Sequence, residues 1–484
     1  MKSLAKDTVV YGLSSIIGKF LNYLLVPLYT HVISAESGGY GIVTNLYAYT
    51  ALVMVILTFG METSFFRFAN SEEDKSDTVF STAMLFVSSL AIVFFVTVCL
   101  FINPLADVMG YAGHHEYVLI MSAIVSIDVI QAIPFCLLRY RKKALKFAML
   151  KLLFIVVSIA LNLIFFLVLG KDDVYYVFFI NLICTFFITF FFITELSDIK
   201  WKVDMSVMRR MLSYSWPILV LGIAGILNQT FDKIIFPWAY TRTGLYTDAE
   251  AHVQLGIYGA CVKVAMIMAM ITQAFRYAYE PIVFAKSKDK DSKEYYAVAM
   301  KYFIIFTLFA FLCVEGYIDL LKNIIDEEYH SGLFVIPIVM VAEIMMGIYF
   351  NLSFWYKLID KTIWGAWFSL AGCSVLIIVN IVFIPVYGYV ACAWGGVAGY
   401  MTSMVLSYVV GQIKNPIKYD MKGITVYVLM TSCLFSVMYV LPDYVDSVVL
   451  RLLINTFLIS LFAGHVIFWD LPIKNLPVIG RFFR

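Results

Sequence analysis

Residues 78–102 read TVFSTAMLFVSSLAIVFFVTVCLFI, twenty-five positions without one charge. A hydrocarbon core about 30 Å thick is crossed by roughly 20 helical residues, so this run predicts a membrane-spanning helix. Outward from it, runs of similar length recur at 7–32, 40–66, 117–138, 145–169, 174–195, 211–237, 253–284, 297–321, 333–356, 363–386, 388–411, 423–441 and 448–470. The chain is 62% hydrophobic and only 14% charged, where soluble domains carry about 25% charged residues. A water-facing exterior must be polar, so most of this surface faces lipid. The reading is an all-α polytopic membrane protein with fourteen spans.

The connections test that count. On one side of the membrane lie groups such as Arg139, Arg141, Lys142, Lys143 and Lys146, or Lys286, Lys288, Lys290 and Lys293, making 25 basic residues in all. The opposite side has Lys171, Arg242, Lys322 and Arg451. Basic residues accumulate in cytoplasmic loops, and a missed or invented span would scramble the alternation. Both termini are therefore expected in the cytoplasm, with the first run retained as a span rather than cleaved as a signal peptide. No connection exceeds about twenty residues, which leaves no room for an extramembrane catalytic domain. P-loop, HExxH and GxSxG motifs are absent, and such motifs are how NTPases, zinc proteases and serine hydrolases announce themselves. Eight cysteines lie scattered with no CxxC pair, which suits packing between helices rather than metal binding.

A shift of 218 residues aligns the chain with itself without a gap. Gly38, Tyr40 and Gly41 meet Gly256, Tyr258 and Gly259, Glu62 meets Glu280, and Asn162 meets Asn380. Repeats of six spans each, an even number, share one orientation and are related by an axis along the membrane normal. Residues 1–196 and 197–412 are thus expected as two pseudo-symmetric six-helix lobes around a cleft. Residues 413–484, with spans 13 and 14 and a cytoplasmic tail, form an addition.

The stretch Gly60-Met61-Glu62-Thr63-Ser64-Phe65-Phe66-Arg67-Phe68 resembles the polysaccharide transporter (Wzx-like) family, as do Phe231-Asp232-Lys233-Ile234-Ile235, Gly256-Ile257-Tyr258-Gly259 and Gln273–Pro281. That family sits in the superfamily that also holds lipid II flippases and MATE drug exporters. The resemblance implies a MATE-like fold, alternating access and an undecaprenyl-pyrophosphate-linked oligosaccharide as substrate. It fixes no binding motif, so site residues are argued physically.

Ionisable groups within spans are costly and usually face a wet cavity or a partner. The basic candidates are Lys19, Lys233, Lys263 and Arg276. Lys263 and Arg276 stand where the first repeat has Asn45 and Thr58, so the second repeat supplies extra positive charge. A diphosphate accepts charge-assisted hydrogen bonds, bidentately from Arg, which makes these four the expected substrate-binding groups. Snorkelling, or pairing of Arg276 with Glu280 one turn on, is the structural alternative. The acids Glu62, Asp128, Asp232, Glu280 and Glu343 are candidates for ion coupling or gating, with salt bridging as the alternative; Asp128 and Glu343 occupy nearly matching turns of spans 4 and 10. Spans 1 and 7 carry Gly12, Gly18, Pro27, Pro217, Gly222 and Gly225, which would allow hinging.

The expected function is a non-enzymatic flippase in a bacterial inner membrane. It would carry lipid-linked repeat units outward for O-antigen (lipopolysaccharide), capsule or exopolysaccharide synthesis. Its partners would be the lipid-linked glycan and membrane lipid, without nucleic acid; contact with polysaccharide polymerase or assembly proteins stays open. No resident cofactor is expected, and coupling to H⁺ or Na⁺ is left open. A MATE-type cation/drug antiporter shares the fold but calls for a more acidic cleft. An integral membrane glycan-assembly enzyme calls for an exposed catalytic loop.

Overall fold

The computed structural model describes residues 23–470, apart from 72, 73, 198, 201, 202, 287–291, 358 and 360. Thirteen helices among the described residues are long and apolar enough to cross a membrane. They fall on the thirteen runs predicted from residue 40 onward, with ends mostly within a few residues. The remaining run, 7–32, lies mostly outside the described residues; Leu25–Val32 (α1) is its described end.

The helices that follow are α2 (Gly39–Thr58), α3 (Met61–Ala69), α4 (Ser76–Leu100), α5 (His115–Tyr140), α6 (Ala144–Leu163), α7 (Tyr175–Thr189), α8 (Met205–Thr241) and α9 (Asp248–Lys286). After these come α10 (Ser292–Gly316), α11 (Ile336–Leu352), α12 (Ile363–Tyr387), α13 (Tyr389–Lys414), α14 (Met421–Val440) and α15 (Val448–Trp469). Helices suit a lipid solvent because every backbone polar group is satisfied within the segment. The lipid exposure is legible on α4, where Ile92, Val93 and Leu100 are 57%, 62% and 73% exposed. A soluble surface would not carry such a stripe. With 37 and 39 residues, α8 and α9 run about 55 and 58 Å, well beyond the hydrocarbon core. Their ends therefore project into the aqueous phase. At the start of α8, Asp204 caps the amides of Ser206 and Val207 at 2.9 and 3.2 Å. The Ser206 hydroxyl, followed by these amides, holds the Asp204 carboxyl below the usual carboxylate range.

The chain packs as two compact units, residues 1–260 with 373–395 and residues 261–372 with 396–484. In the first, α3, α4, α5 and α8 bury Met61, Phe65, Val79, Ala83, Val87, Val129, Ile133 and Met211 completely. Helix association in lipid rests on such van der Waals packing and on interhelical hydrogen bonds rather than on water exclusion. The span predicted as one helix over 40–66 is broken: Phe59 and Gly60 both adopt left-handed backbone, φ 51° and 67°. Gly60 is suited to this because it has no Cβ, and a Cβ there would lie 3.2 Å from the Ser215 carbonyl of α8. Asn45 ties α2 to α8, its Nδ2 donating to the Lys233 carbonyl at 2.6 Å while the Tyr111 hydroxyl donates to its Oδ1 at 2.7 Å.

In the second unit, ion pairs hold α14 and α15 to α10. Lys301 pairs with Asp420 at 2.9 Å and also with Asp470, which accepts from the Tyr427 hydroxyl as well. The Lys301 ammonium holds the Asp420 carboxyl below its usual range. Toward the other end of the helices, Asp319 accepts from Arg451 Nε at 2.8 Å and from Lys322 at 3.1 Å. Between these ends Asn455 Nδ2 donates to the Gly316 carbonyl at 2.8 Å.

Candidate functional site

In the first unit the sequence candidates occupy two separate places. Asp232 and Lys233 on α8 pair with one another, Lys233 Nζ lying 2.9 Å from Asp232 Oδ2. The Tyr258 hydroxyl donates to the same oxygen at 2.8 Å, so the carboxylate is held between an ammonium and a phenol. Asn380 on α12 is fully buried, and neither its Oδ1 nor its Nδ2 has a hydrogen-bond partner among the described residues. Its counterpart in the 218-residue register, Asn162, accepts from the Tyr29 hydroxyl at 2.8 Å.

The second place brings Glu62 on α3 and Asp128 on α5 toward one lysine that the sequence reading passed over. Lys151 on α6 interacts electrostatically with both acids, and its Nζ lies 4.1 Å from the centre of the Phe135 ring. Glu62 also accepts from Cys136 Sγ at 3.7 Å and feels Arg139. Asp128 lies near the Thr185 hydroxyl of α7. Thr185 leads on to Asn181 at 3.3 Å, and Asn181 Nδ2 donates to the Tyr47 hydroxyl at 2.6 Å. Gln131, one turn after Asp128, reaches the Thr185 carbonyl and Thr189 Oγ1 at 2.8 and 2.9 Å. Charged and hydrogen-bonding side chains thus gather in this unit, from the exposed Lys151 to the buried Gln131 and Thr185. Each buried polar group in lipid needs such a partner. The signal for Lys151 was a charge inside the apolar run 145–169.

In the second unit Lys263 and Glu343 are half-buried on α9 and α11. Arg276 lies thirteen residues after Lys263, about 20 Å along α9, so a single phosphate cannot touch both. Its guanidinium carbon sits 4.9 Å from the centre of the Phe350 ring on α11, a cation–π arrangement. Arg276 lines a recess shared with Lys357 and Thr272. Lys19 lies outside the described residues, and the side chain of Glu280 does too. Glu315 on α10 is a buried acid missed in the sequence: it is 8% exposed and its Oε1 has no partner among the described residues. No group of three or more His, Cys, Asp and Glu side chains that could hold a metal occurs among the described residues.

This is the fold of multi-pass membrane transporters. Superposition with the lipid II flippase MurJ in an inward closed conformation gives a TM-score of 0.73 at 15% identity, covering 96% of this chain and 99% of that one. An inward-facing multidrug resistance MATE transporter of the MOP superfamily gives 0.64 at 14% identity, with 87% and 99% covered. The MATE multidrug transporter DinF-BH gives 0.61 at 17% identity, with 86% and 95% covered. Residues 4–275 match the polysaccharide biosynthesis protein family, and the chain belongs to that family. Among curated protein sequences no match is found.

Proposed function

We propose that the protein is a flippase that moves undecaprenyl-pyrophosphate-linked oligosaccharides from the cytoplasmic to the outer leaflet of a bacterial inner membrane, for surface polysaccharide assembly. Membership of the polysaccharide biosynthesis family on a lipid-flippase fold carries this reading. The intramembrane cations support it. Lys263 and Arg276 put two positive charges on α9 at depths about 20 Å apart. The polyprenyl tail stays in lipid, so the protein need shield only the polar headgroup, and no bond is made or broken. Alternating access moves the headgroup across, with the more basic ends of the helices in the cytoplasm.

The test is flipping of a labelled lipid-linked oligosaccharide in proteoliposomes. Hydrogen bonds to charged groups contribute about 1.5–3 kcal/mol, so Lys263→Ala and Arg276→Ala should each slow flipping about ten-fold or more in protein that remains folded. A wild type that flips no native glycan but exports cationic dyes would replace this reading with drug antiport.

Coupling to H⁺ or Na⁺ belongs to the same proposal, with Asp128 or Glu343 as the group that titrates or ligates. Asp128→Asn and Glu343→Gln are expected to differ: the amide at the coupling position removes the pH or Na⁺ dependence of flipping, the other leaves it. Dependence untouched in both variants would remove these two acids from the coupling step.

A further inference from the structure

The recess beside Arg276 is built in a way that helix packing alone does not call for. It lies in the second unit between α9, α10 and α11. Gly347 lets α11 close onto α9 there, since a Cβ at that position would lie 2.4 Å from Phe303 and 3.0 Å from the Thr272 methyl. Two cations stand at it, Arg276 and Lys357. The Arg276 side chain is exposed and laid against Phe350, which holds the planar fork at the recess. Lys357 Nζ lies 5.1 Å from the centre of the Phe354 ring. Deeper, one turn before Arg276, Thr272 is 5% exposed and its hydroxyl has no hydrogen-bond partner among the described residues. A buried hydroxyl left without a partner is unfavourable unless something enters to meet it. The recess has room for about one water-sized group.

An oxyanion with several oxygens fits these features. One oxygen accepts from Thr272, while the others remain at the mouth between the guanidinium and the ammonium. Arg engages two such oxygens at once, and Lys acts as a point charge. The walls argue for an amphipathic molecule rather than a free ion. Phe275, Phe303, Phe350 and Phe354 line the recess with aromatic carbon, which suits an isoprenoid or a sugar face and does nothing for inorganic phosphate.

We propose that this recess is a docking site for a phosphoryl group of a polyprenyl diphosphate, separate from Lys263 by about 20 Å along α9. It rests on the flippase reading for its ligand and adds Lys357 and Thr272 to the residues that hold it. The site lies toward the end of the second unit where Lys357, Lys361, Lys414 and Lys418 cluster in the connections. That is the end assigned above to the cytoplasm, where the substrate is loaded. The diphosphate is thus caught at Arg276 and Lys357 before it reaches Lys263.

The experiment is equilibrium binding to the full-length protein in nanodiscs, with three probes: undecaprenyl diphosphate, undecaprenyl monophosphate and inorganic pyrophosphate. Lys357→Ala and Thr272→Val should each weaken undecaprenyl diphosphate five- to ten-fold, and Arg276→Lys, which keeps the charge and loses the fork, should weaken it too. Lys361→Ala, four residues further along the chain, should leave it unchanged, separating the site from bulk positive charge. Thr272→Val should also raise the thermal midpoint of the ligand-free protein, because it removes an unmatched hydroxyl; a merely structural threonine would lower it. Wild-type affinity in folded Lys357→Ala and Thr272→Val overturns the site. Inorganic pyrophosphate binding as tightly as the lipid overturns the choice of ligand. Binding that depends on Lys357 in a protein that flips nothing keeps the site and removes the flippase reading, so the two failures are distinguishable.

Discussion

Gly41→Leu is expected to abolish recovery of folded protein rather than to lower activity by degrees. A Cβ at Gly41 would stand 1.9 Å from the His252 carbonyl oxygen and 2.7 Å from its carbon. The obstacle is backbone of α9, which cannot rotate away as a side chain would. The contact is mutual, since a Cβ at Gly256 would lie 3.0 Å from the Gly41 nitrogen. Close approach of two helices through glycine is a recurrent way to gain packing in lipid. Overpacking of a tight interior costs about 1–3 kcal/mol and sometimes more, against a total stability of about 5–15 kcal/mol. A clash with main chain exceeds that range because the helices themselves must part, and separating α2 from α9 would also strain the Tyr111 contact to His252 at 3.3 Å. Gly259→Ala should be milder, because its obstacle at 2.4 Å is the Thr44 hydroxyl, a side chain that can turn aside. Monodisperse yield in detergent and the thermal midpoint read both variants. A Gly41→Leu protein with the wild-type midpoint would mean the two helices do not meet there.

The same glycines show what a linear reading can and cannot supply. Gly41, Gly256 and Gly259 were visible as a repeated motif, and the reason offered was duplication. Their physical role, letting the two copies of the motif pack on one another, depends on a contact across more than 200 residues that spacing does not encode. Span positions were legible because membrane thickness is a length, and a length is read directly along the chain. The break at Phe59 and Gly60 was not, since an apolar run looks the same whether one helix or two carry it. Lys233 was read as one of four substrate-binding cations; its neighbour Asp232 stands beside it in sequence, yet only the fold shows the two bonded together with Tyr258. Arg276 was found from its charge inside a span. Thr272 and Lys357 were not, because a threonine in a membrane helix is ordinary and a lysine at a helix end reads as topology. Glu315 and Lys151 were legible in principle, each a charge inside an apolar run.

Lys151→Met is expected to lower the thermal midpoint, and the pattern of rescue identifies why. Glu62, Asp128 and Lys151 come from three helices of the first unit, and the lysine interacts with both acids. Removing one partner from a close buried ion pair costs about 3–5 kcal/mol; Lys151 is exposed and acts on the two acids through space, so its removal should cost less. Here one substitution withdraws that attraction from two carboxylates at once, so the effect should exceed that of an ordinary surface pair, about 1 kcal/mol. The acids are not equivalent. Glu62 keeps Arg139 and the Cys136 thiol at 3.7 Å, whereas Asp128 has the Thr185 hydroxyl near it. Adding Asp128→Asn to Lys151→Met should therefore restore most of the lost midpoint, and adding Glu62→Gln should restore less. Asp128→Asn alone should cost little, since Lys151 retains Glu62. Interaction energies from the double-mutant cycle separate these contributions. If Lys151→Met matched wild type, the lysine would not balance the two acids; if both rescues were equal, Arg139 would not distinguish them. In either case Asp128 would be less suited to a proton or cation cycle. A group that exchanges a charge during transport needs a partner whose hold on it can change, and Lys151 is the side chain placed to provide that hold.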